Sequence, residues 1–330
     1  MKRPIYIFSD GELKRKDNTL YFESEEGKRY IPVENTSEIH VFGETDLNKR
    51  FLEFITRTEI IIHFYNHYGY YIGTFYPREH LNSGFIILKQ AEHYLNSEKR
   101  LELAKKFVFG ASKNIQQTIR YYINRGKDLE DVEKNIKILE ERIDVCNDID
   151  ELMAIEGNTR EYYYMAFDEI IQKPEFKFVE RTRRPPRNNL NTMISFGNSI
   201  MYTTTLSEIY KTHLDPRIGY LHSTNFRRFT LNLDVSEIFK PIIIDRVIFT
   251  LLGRNMINGD DFEKNMGGLL MKEKAKKAFI QELEDKLRTT IKHRKLGKKV
   301  SYRRLIRMEV YKLQKHIIGE EKYEPFVARW

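Results

Sequence analysis

A chain of 330 residues that is 41% hydrophobic and 13% aromatic can bury a large core, which excludes a mostly disordered protein and leaves room for two domains. No apolar run approaches the roughly 20 residues that cross a bilayer, and the opening MKRPIYIFSDGE carries charges and a proline where a secretion signal needs an apolar stretch, so a cytoplasmic protein is expected. The net charge of +8 favours anionic partners such as nucleic acid, and a single cysteine, Cys146, excludes an internal disulfide and a cysteine-based zinc site.

Residues 1–76 read as β-structure. IYIF, TLYFES, KRYIPV, EIHVF, EIIIHFY and YYIGTFY are short β-branched or aromatic runs, and Asp10-Gly11, Asp17-Asn18, Glu26-Gly27 and Gly43 are turn signals between them. One short crossover helix fits 47–56. Pro and Gly break the pattern at 77–84, a linker, and from residue 85 the apolar period becomes that of a helix. Helices are expected over 85–95, 98–124, 128–145 and 148–171, the second opened by an Asn96-Ser97 cap and the last by the capping-box spacing of Asp148 and Glu151. Cys146 falls in a helical pattern and reads as a buried, inert thiol. After a basic, proline-containing loop at 173–188, helices resume near 189–209, 235–252, 268–288 and 301–318. The fold class is α+β: a small N-terminal β-strand-rich domain (1–76), a linker (77–84) and a larger all-α domain (85–330).

Chemistry concentrates in residues 219–252. A helix read from Val235 places Asp234 and Glu237 on one face, and the turn after Gly219 can fold His222 back over the same helix end. One imidazole with carboxylates suits a divalent ion, and Arg227 and Arg228 between them suit an anionic substrate. Asp234-Val-Ser-Glu237 equally reads as a capping box, and both readings stand on spacing alone. In the helix after Asp148, Glu156 lies beside the apolar stripe of Leu152, Ile155, Thr159, Tyr163 and Ala166 and needs a partner. That partner is Arg160 four residues on, which spacing favours, or a metal shared with His222 and Glu237. Gly157 weakens this helix by about 1 kcal/mol relative to Ala, which suggests a close approach to the backbone.

Two basic stretches suit phosphate contacts or a solvated surface: RTRRPPR at 181–187, stiffened by Pro-Pro, and KHRKLGKKVSYRRLIR at 292–307. Two rival functions remain on these features. Tyr162, Tyr163 and Tyr164 near arginines fit a tyrosine recombinase with a covalent phosphotyrosine, and the charge alone fits a non-catalytic DNA-binding scaffold.

MAIEGNTREYY (153–163), RTRRPPRNNLNTMISFGNSIMYT (181–203), the stretch from LDPRIGYLHS to GRNMI (214–257) and SYRRLIRMEVYKLQKHIIGEEKYEPF (301–326) together closely resemble the CRISPR-associated integrase family Cas-one (Cas1), the large subunit of the spacer-acquisition complex. The wording IFKP-II-DR-IF looks most like the type I branch, subtype B. The resemblance implies a β-domain and linker before a helical catalytic domain, and a divalent-metal site mapping onto Glu156, His222 and Glu237 with Asp234 as an auxiliary carboxylate. Some members have Asp at the last ligand position, so Glu237 is a longer arm. Asn188 stands where many members have Asp. Arg183, Arg184, Arg187, Arg227 and Arg228 are candidates for DNA contact. The implied activity is metal-dependent DNA endonuclease and integrase chemistry of CRISPR adaptation, in which a DNA 3′-hydroxyl attacks a repeat phosphodiester. Oxygen-rich ligands with one imidazole suit Mg²⁺ or Mn²⁺. The implied partners are double-stranded DNA, a second copy of the chain and a small ferredoxin-like protein, Cas-two (Cas2).

Overall fold

The structure is a computed structural model that describes residues 2–329 except 79, 80, 82, 184, 225–228, 266, 267, 294 and 295. Two compact units divide the chain, Met1–Asn82 and Ser83–Trp330.

In the first unit the strands are β1 (Arg3–Ile7), β2 (Gly11–Lys16), β3 (Thr19–Ser24), β4 (Gly27–Ile31), β5 (Thr36–Val41) and β6 (Thr45–Leu47), followed by helix α1 (Lys49–Thr58) and strands β7 (Ile61–Tyr65) and β8 (Tyr71–Phe75). They form two four-stranded sheets, ordered β1-β5-β7-β8 and β4-β3-β2-β6. In the first sheet β1, β5 and β7 run parallel and β8 closes it antiparallel to β7. Alternation along the strands sends Ile39, Val41 and Ile62 into a core shared with Leu13, Leu20, Ile31, Phe51 and Ile55, while their neighbours face the opposite side. The Asp17-Asn18 signal is the two-residue turn of the β2–β3 hairpin, with Asp17 at φ 52°. Strand β2, GELKRK, escaped the reading because Leu13 is its one buried residue and the rest reads as a polar loop.

The second unit contains α2 (Gly84–Leu95), α3 (Ser97–Ile123), α4 (Glu130–Val145), α5 (Ile149–Ile171), α6 (Asn189–Ile209), α7 (Leu231–Phe239) and α8 (Ile244–Gly253). It ends with hairpin strands β9 (Phe262–Asn265) and β10 (Gly268–Met271), α9 (Glu273–Arg288), strands β11 (Thr290–Lys292) and β12 (Lys299–Ser301), and α10 (Tyr302–Ile317). The long α3 packs against α4, α5 and α7. Ala104, Val108, Leu139, Ile143, Leu152, Ile155 and Leu221 share one core cluster with Cys146. The Cys146 thiol is buried, bonds to the Ile143 carbonyl, and is pushed up in pKa by burial, as suits an inert packing group. Helix α6 buries most of its residues on all sides, and Asn188 caps it by accepting from the Asn191 N–H at 2.8 Å.

The helix expected over 235–252 is two helices. Pro241 lacks a backbone donor and crowds the preceding turn, so a 3₁₀ turn at Lys240–Ile242 separates α7 from α8. The helix expected from residue 268 starts at Glu273, because Gly268–Met271 pairs antiparallel with Phe262–Asn265. The helical domain therefore carries two short hairpins within its α-architecture. Gly157 is not a point of close approach: a Cβ there meets nothing within 4 Å.

Candidate metal centre

Residues 216–222 are laced to the start of α7. The Thr230 and Leu231 N–H groups donate to the Pro216 carbonyl at 3.0 and 3.1 Å, and the Gly219 N–H donates to Thr230 Oγ1 at 2.9 Å. Gly219 is needed for this approach, since a Cβ would lie 2.8 Å from the Thr230 carbonyl carbon and 2.9 Å from Asp234 Oδ2. Folding back in this way brings three successive donors onto one buried carboxylate. Asp234 Oδ2 accepts from the Tyr220 and Leu221 N–H groups at 2.6 and 3.1 Å, and Oδ1 accepts from the His222 N–H at 3.0 Å.

The capping-box reading of Asp234 and Glu237 is thereby overturned. Helix α7 begins at Leu231, so Asp234 lies inside its first turn and its oxygens serve the 220–222 backbone rather than its own helix end. Its fourth bond is to the His222 ring, Nδ1 to Oδ1 at 2.8 Å. A carboxylate only accepts, so Nδ1 carries the proton and Nε2 is the nitrogen left with a lone pair, the arrangement of a metal-ligating histidine anchored by a carboxylate. Burial opposes charge on this imidazole, but the Asp234 hydrogen bond, with the charges of Asp234 and Glu237, raises its pKa above the ordinary value.

Glu237 lies on the same face of α7 and is gripped by two cations. Arg160 Nη2 donates to Oε2 at 2.6 Å and to the Glu237 carbonyl at 3.3 Å, while Lys240 Nζ donates to Oε1. The same guanidinium reaches Glu156, Nε to Oε1 at 3.3 Å, and faces Asp245 Oδ2 at 4.0 Å. The two readings of Glu156 are therefore not exclusive: the helical ion pair with Arg160 exists, and it ties Glu156 to Glu237. Lys240 also donates to the Tyr202 hydroxyl at 2.7 Å.

Charge separates the two glutamates. Burial opposes ionisation of Glu237, yet Lys240, Arg160 and His222 outweigh it and hold its pKa at about 2. Glu156 is pushed up by burial and by the charge of Glu237, against Arg160, Lys240 and His222. His222 thus acts electrostatically on both carboxylates. Among the described residues, their donor atoms do not all lie within 4.8 Å of one another. Two carboxylates and an imidazole with Nδ1 anchored are a donor set that fits a hard divalent ion.

Sequence reasoning missed Lys240 and Asp245. Lys240 stands three residues after Glu237, the spacing of a helical ion pair, and Asp245 interrupts the apolar run IIIDRVIF, where a buried charge needs a partner. Asp245 is pushed up to about 6 by burial, against the pull of Arg160 and Lys240.

Of the arginines singled out for DNA, Arg183 and Arg187 are exposed, and Arg184, Arg227 and Arg228 lie outside the described residues. Arg181 of the same loop is pinned inward by bonds to Asn191 Oδ1 at 3.1 Å and Ser195 Oγ at 3.0 Å. Part of the 292–307 stretch is likewise engaged internally: Arg303 reaches Glu284 at 2.7 Å and Arg307 reaches Glu208 at 2.6 Å. Of the three tyrosines of the recombinase reading, Tyr163 and Tyr164 are buried with phenols pushed up by burial, which is poor ground for a phosphotyrosine nucleophile, while Tyr162 is exposed.

Comparison with known proteins follows the same direction. The family model described as CRISPR associated protein Cas1 matches residues 5–285. The chain is 61% identical over 330 residues to a protein of Thermodesulfovibrio yellowstonii named CRISPR-associated endonuclease Cas1 2, covering 100% of both. It is 51% identical over 319 residues to the CRISPR-associated endonuclease Cas1 of Thermotoga maritima, covering 97% of this chain and 98% of that one. The solved structure of a Cas1 protein from Thermotoga maritima superposes with a TM-score of 0.89 at 48% identity, covering 99% of this chain and 100% of that chain.

Proposed function

The chain belongs to the CRISPR-associated Cas1 family, and on that premise we propose that it is a divalent-metal-dependent DNA endonuclease and integrase of CRISPR adaptation. Glu156, His222 and Glu237 hold the ion, which is Mg²⁺ or Mn²⁺, and Asp234 positions His222. The observation that carries this reading is the Asp234–His222 pair, because it anchors Nδ1 and leaves Nε2 as the ligand atom, beside a carboxylate that stays charged.

When bound, the cation polarises the scissile phosphate and offsets charge on the leaving oxygen. Asp234 fixes the imidazole ring before the ion arrives, which lowers the ordering cost of the site. Glu237 needs no deprotonation at neutral pH. Arg160 and Lys240 balance the carboxylates and stand beside the site as positive charge for a phosphate backbone. A DNA 3′-hydroxyl attacks phosphorus in line, so that one P–O bond forms as one breaks. The reverse is disintegration, and water in place of the hydroxyl is hydrolysis. No covalent link to the protein is needed.

The exposed Arg183 and Arg187 are proposed to contact DNA backbone, together with Arg184, Arg227 and Arg228 of the same two segments. The working assembly is proposed to be a homodimer joined to a Cas2-type partner and acting in the cytoplasm. Among the described residues, no helix is long and apolar enough to cross a membrane. The test is strand transfer into a supercoiled repeat-bearing plasmid with the purified partner and Mn²⁺. Wild type is expected to join the ends, and EDTA or His222→Ala to abolish joining. Joining that survives EDTA fits a tyrosine recombinase and sinks the proposal.

A further inference from the structure

The first unit contains a second constellation of metal-ligating side chains, built by sheet register. Glu38 and His40 are two residues apart on β5, so they share a face, and His40 pairs across the parallel ladder with His63 of β7. On that face Tyr6 of β1 stacks on the His40 ring at 4.5 Å, and Thr74 of β8 pairs with His63. Glu38, His40 and His63 are each 0% exposed. Their donor atoms, two imidazole nitrogens and a carboxylate oxygen, all lie within 4.8 Å of one another.

Both imidazoles are turned the same way by their other nitrogen. His40 Nδ1 bonds the Tyr65 hydroxyl at 2.9 Å and His63 Nδ1 bonds Thr74 Oγ1 at 2.8 Å, which aims each Nε2 at Glu38. His40 Nε2 lies 3.6 Å from Glu38 Oε1 and His63 Nε2 lies 4.0 Å from Oε2. Hydrogen bonds from nitrogen to oxygen close at roughly 2.7–3.2 Å, so neither separation is one. Two ligands about 2.0–2.1 Å from a shared tetrahedral ion stand roughly 3.4 Å apart, which the His40–Glu38 separation approaches. The His40 Nε2 atom is buried with no hydrogen-bond partner.

We infer that Glu38, His40 and His63 form a structural transition-metal site, with Zn²⁺ as the ion, that staples β5 to β7 inside the β-domain. Two imidazoles and a carboxylate favour zinc over magnesium, the two Glu38 oxygens, one beside each imidazole, complete a set of four donor atoms, and full burial suits a structural ion loaded as the chain folds. Hydroxyl partners at both Nδ1 atoms supply the outer support that metal-ligating histidines usually have. This inference is independent of the proposed catalytic centre, which offers one imidazole rather than two.

The test uses full-length protein made in zinc-supplemented medium and washed exhaustively with chelator, with zinc released by guanidinium and read with a chromophoric chelator. Wild type is expected to retain about one equivalent of zinc and to melt about 4–8 °C higher than protein refolded without metal. His222→Ala is expected to retain that equivalent. His40→Phe, which keeps the ring stack on Tyr6, and Glu38→Gln are expected to lose most of it. Should either variant fail to fold, the zinc X-ray absorption spectrum of wild type decides: two imidazoles in the shell support the site, and one imidazole overturns it. Wild type holding under a tenth of an equivalent, even after refolding in excess Zn²⁺, overturns it and leaves a purely polar cluster. Zinc lost in His222→Ala but kept in His40→Phe overturns it equally.

Discussion

Substituting Asp234 by Asn tests how His222 is positioned. Each carboxylate oxygen accepts two bonds: Oδ2 from the Tyr220 and Leu221 N–H groups, Oδ1 from the His222 N–H and Nδ1. An amide has the right shape but one accepting oxygen, so one pair of donors must face its NH₂. A buried donor without an acceptor costs about 1–3 kcal/mol, and the two costs overlap, which sets the loss at roughly 2–5 kcal/mol. For a unit of this size, at about 2–4 °C per kcal/mol, that is a Tm drop of about 4–20 °C by calorimetry. His222 also loses the carboxylate that raises its pKa, so its titration, followed by imidazole NMR and assigned with His222→Ala, is expected to move down. Mn²⁺ affinity is expected to fall about 10–100-fold, as when a supporting group behind a ligating histidine is removed. A Tm within 1 °C of wild type with an unmoved His222 titration refutes the reasoning.

Lys240→Met leaves Glu237 with Arg160 alone, and breaking a buried pair is expected to cost about 3–5 kcal/mol in urea unfolding. Mn²⁺ is expected to narrow that gap by supplying the missing charge, and an unchanged gap at saturating Mn²⁺ argues against metal at Glu237. Gly157→Ala, whose Cβ meets nothing, is expected to stabilise by about 0.5–1 kcal/mol, whereas Gly219→Ala drives a Cβ into Thr230 and Asp234 and destabilises. Equal effects of the two alanines contradict the packing described. Glu237 has a folded pKa of about 2, depressed from 4.5, so its contribution is full above about pH 4.5 and is lost as pH falls towards 2. The stability gap between wild type and Glu237→Gln is accordingly expected to close across that window, and a gap independent of pH is the opposing result.

Much of the helical unit was legible because long amphipathic segments announce their ends: Asp148 caps α5 by accepting from the Glu151 N–H, Asn96 caps α3, and Asn188 caps α6. Pro241 was visible in the sequence, yet the apolar run around it reads as one helix unless the missing donor is weighed. Strand β2 and the 268–271 strand failed for the opposite reason, since short strands with few buried residues leave no periodic signal. At the candidate site, family wording pointed to Glu156, His222 and Glu237, whereas spacing alone left capping and ion-pair readings open. What spacing cannot contain is the fold-back of 216–222 onto Asp234, or the single guanidinium of Arg160 shared by Glu156 and Glu237 across 77 residues. His40 and His63 posed the same difficulty: each sits in a plain strand pattern, and only the parallel pairing of β5 with β7 reveals them as neighbours.

The central claim is that three side chains from α5, the 216–222 segment and α7 close on one ion. An anomalous-difference map from Mn²⁺-soaked crystals tests it most directly. The account predicts a peak within bonding distance of Glu156, His222 Nε2 and Glu237. Manganese bound away from His222, or no peak between the three side chains at saturating Mn²⁺, contradicts it.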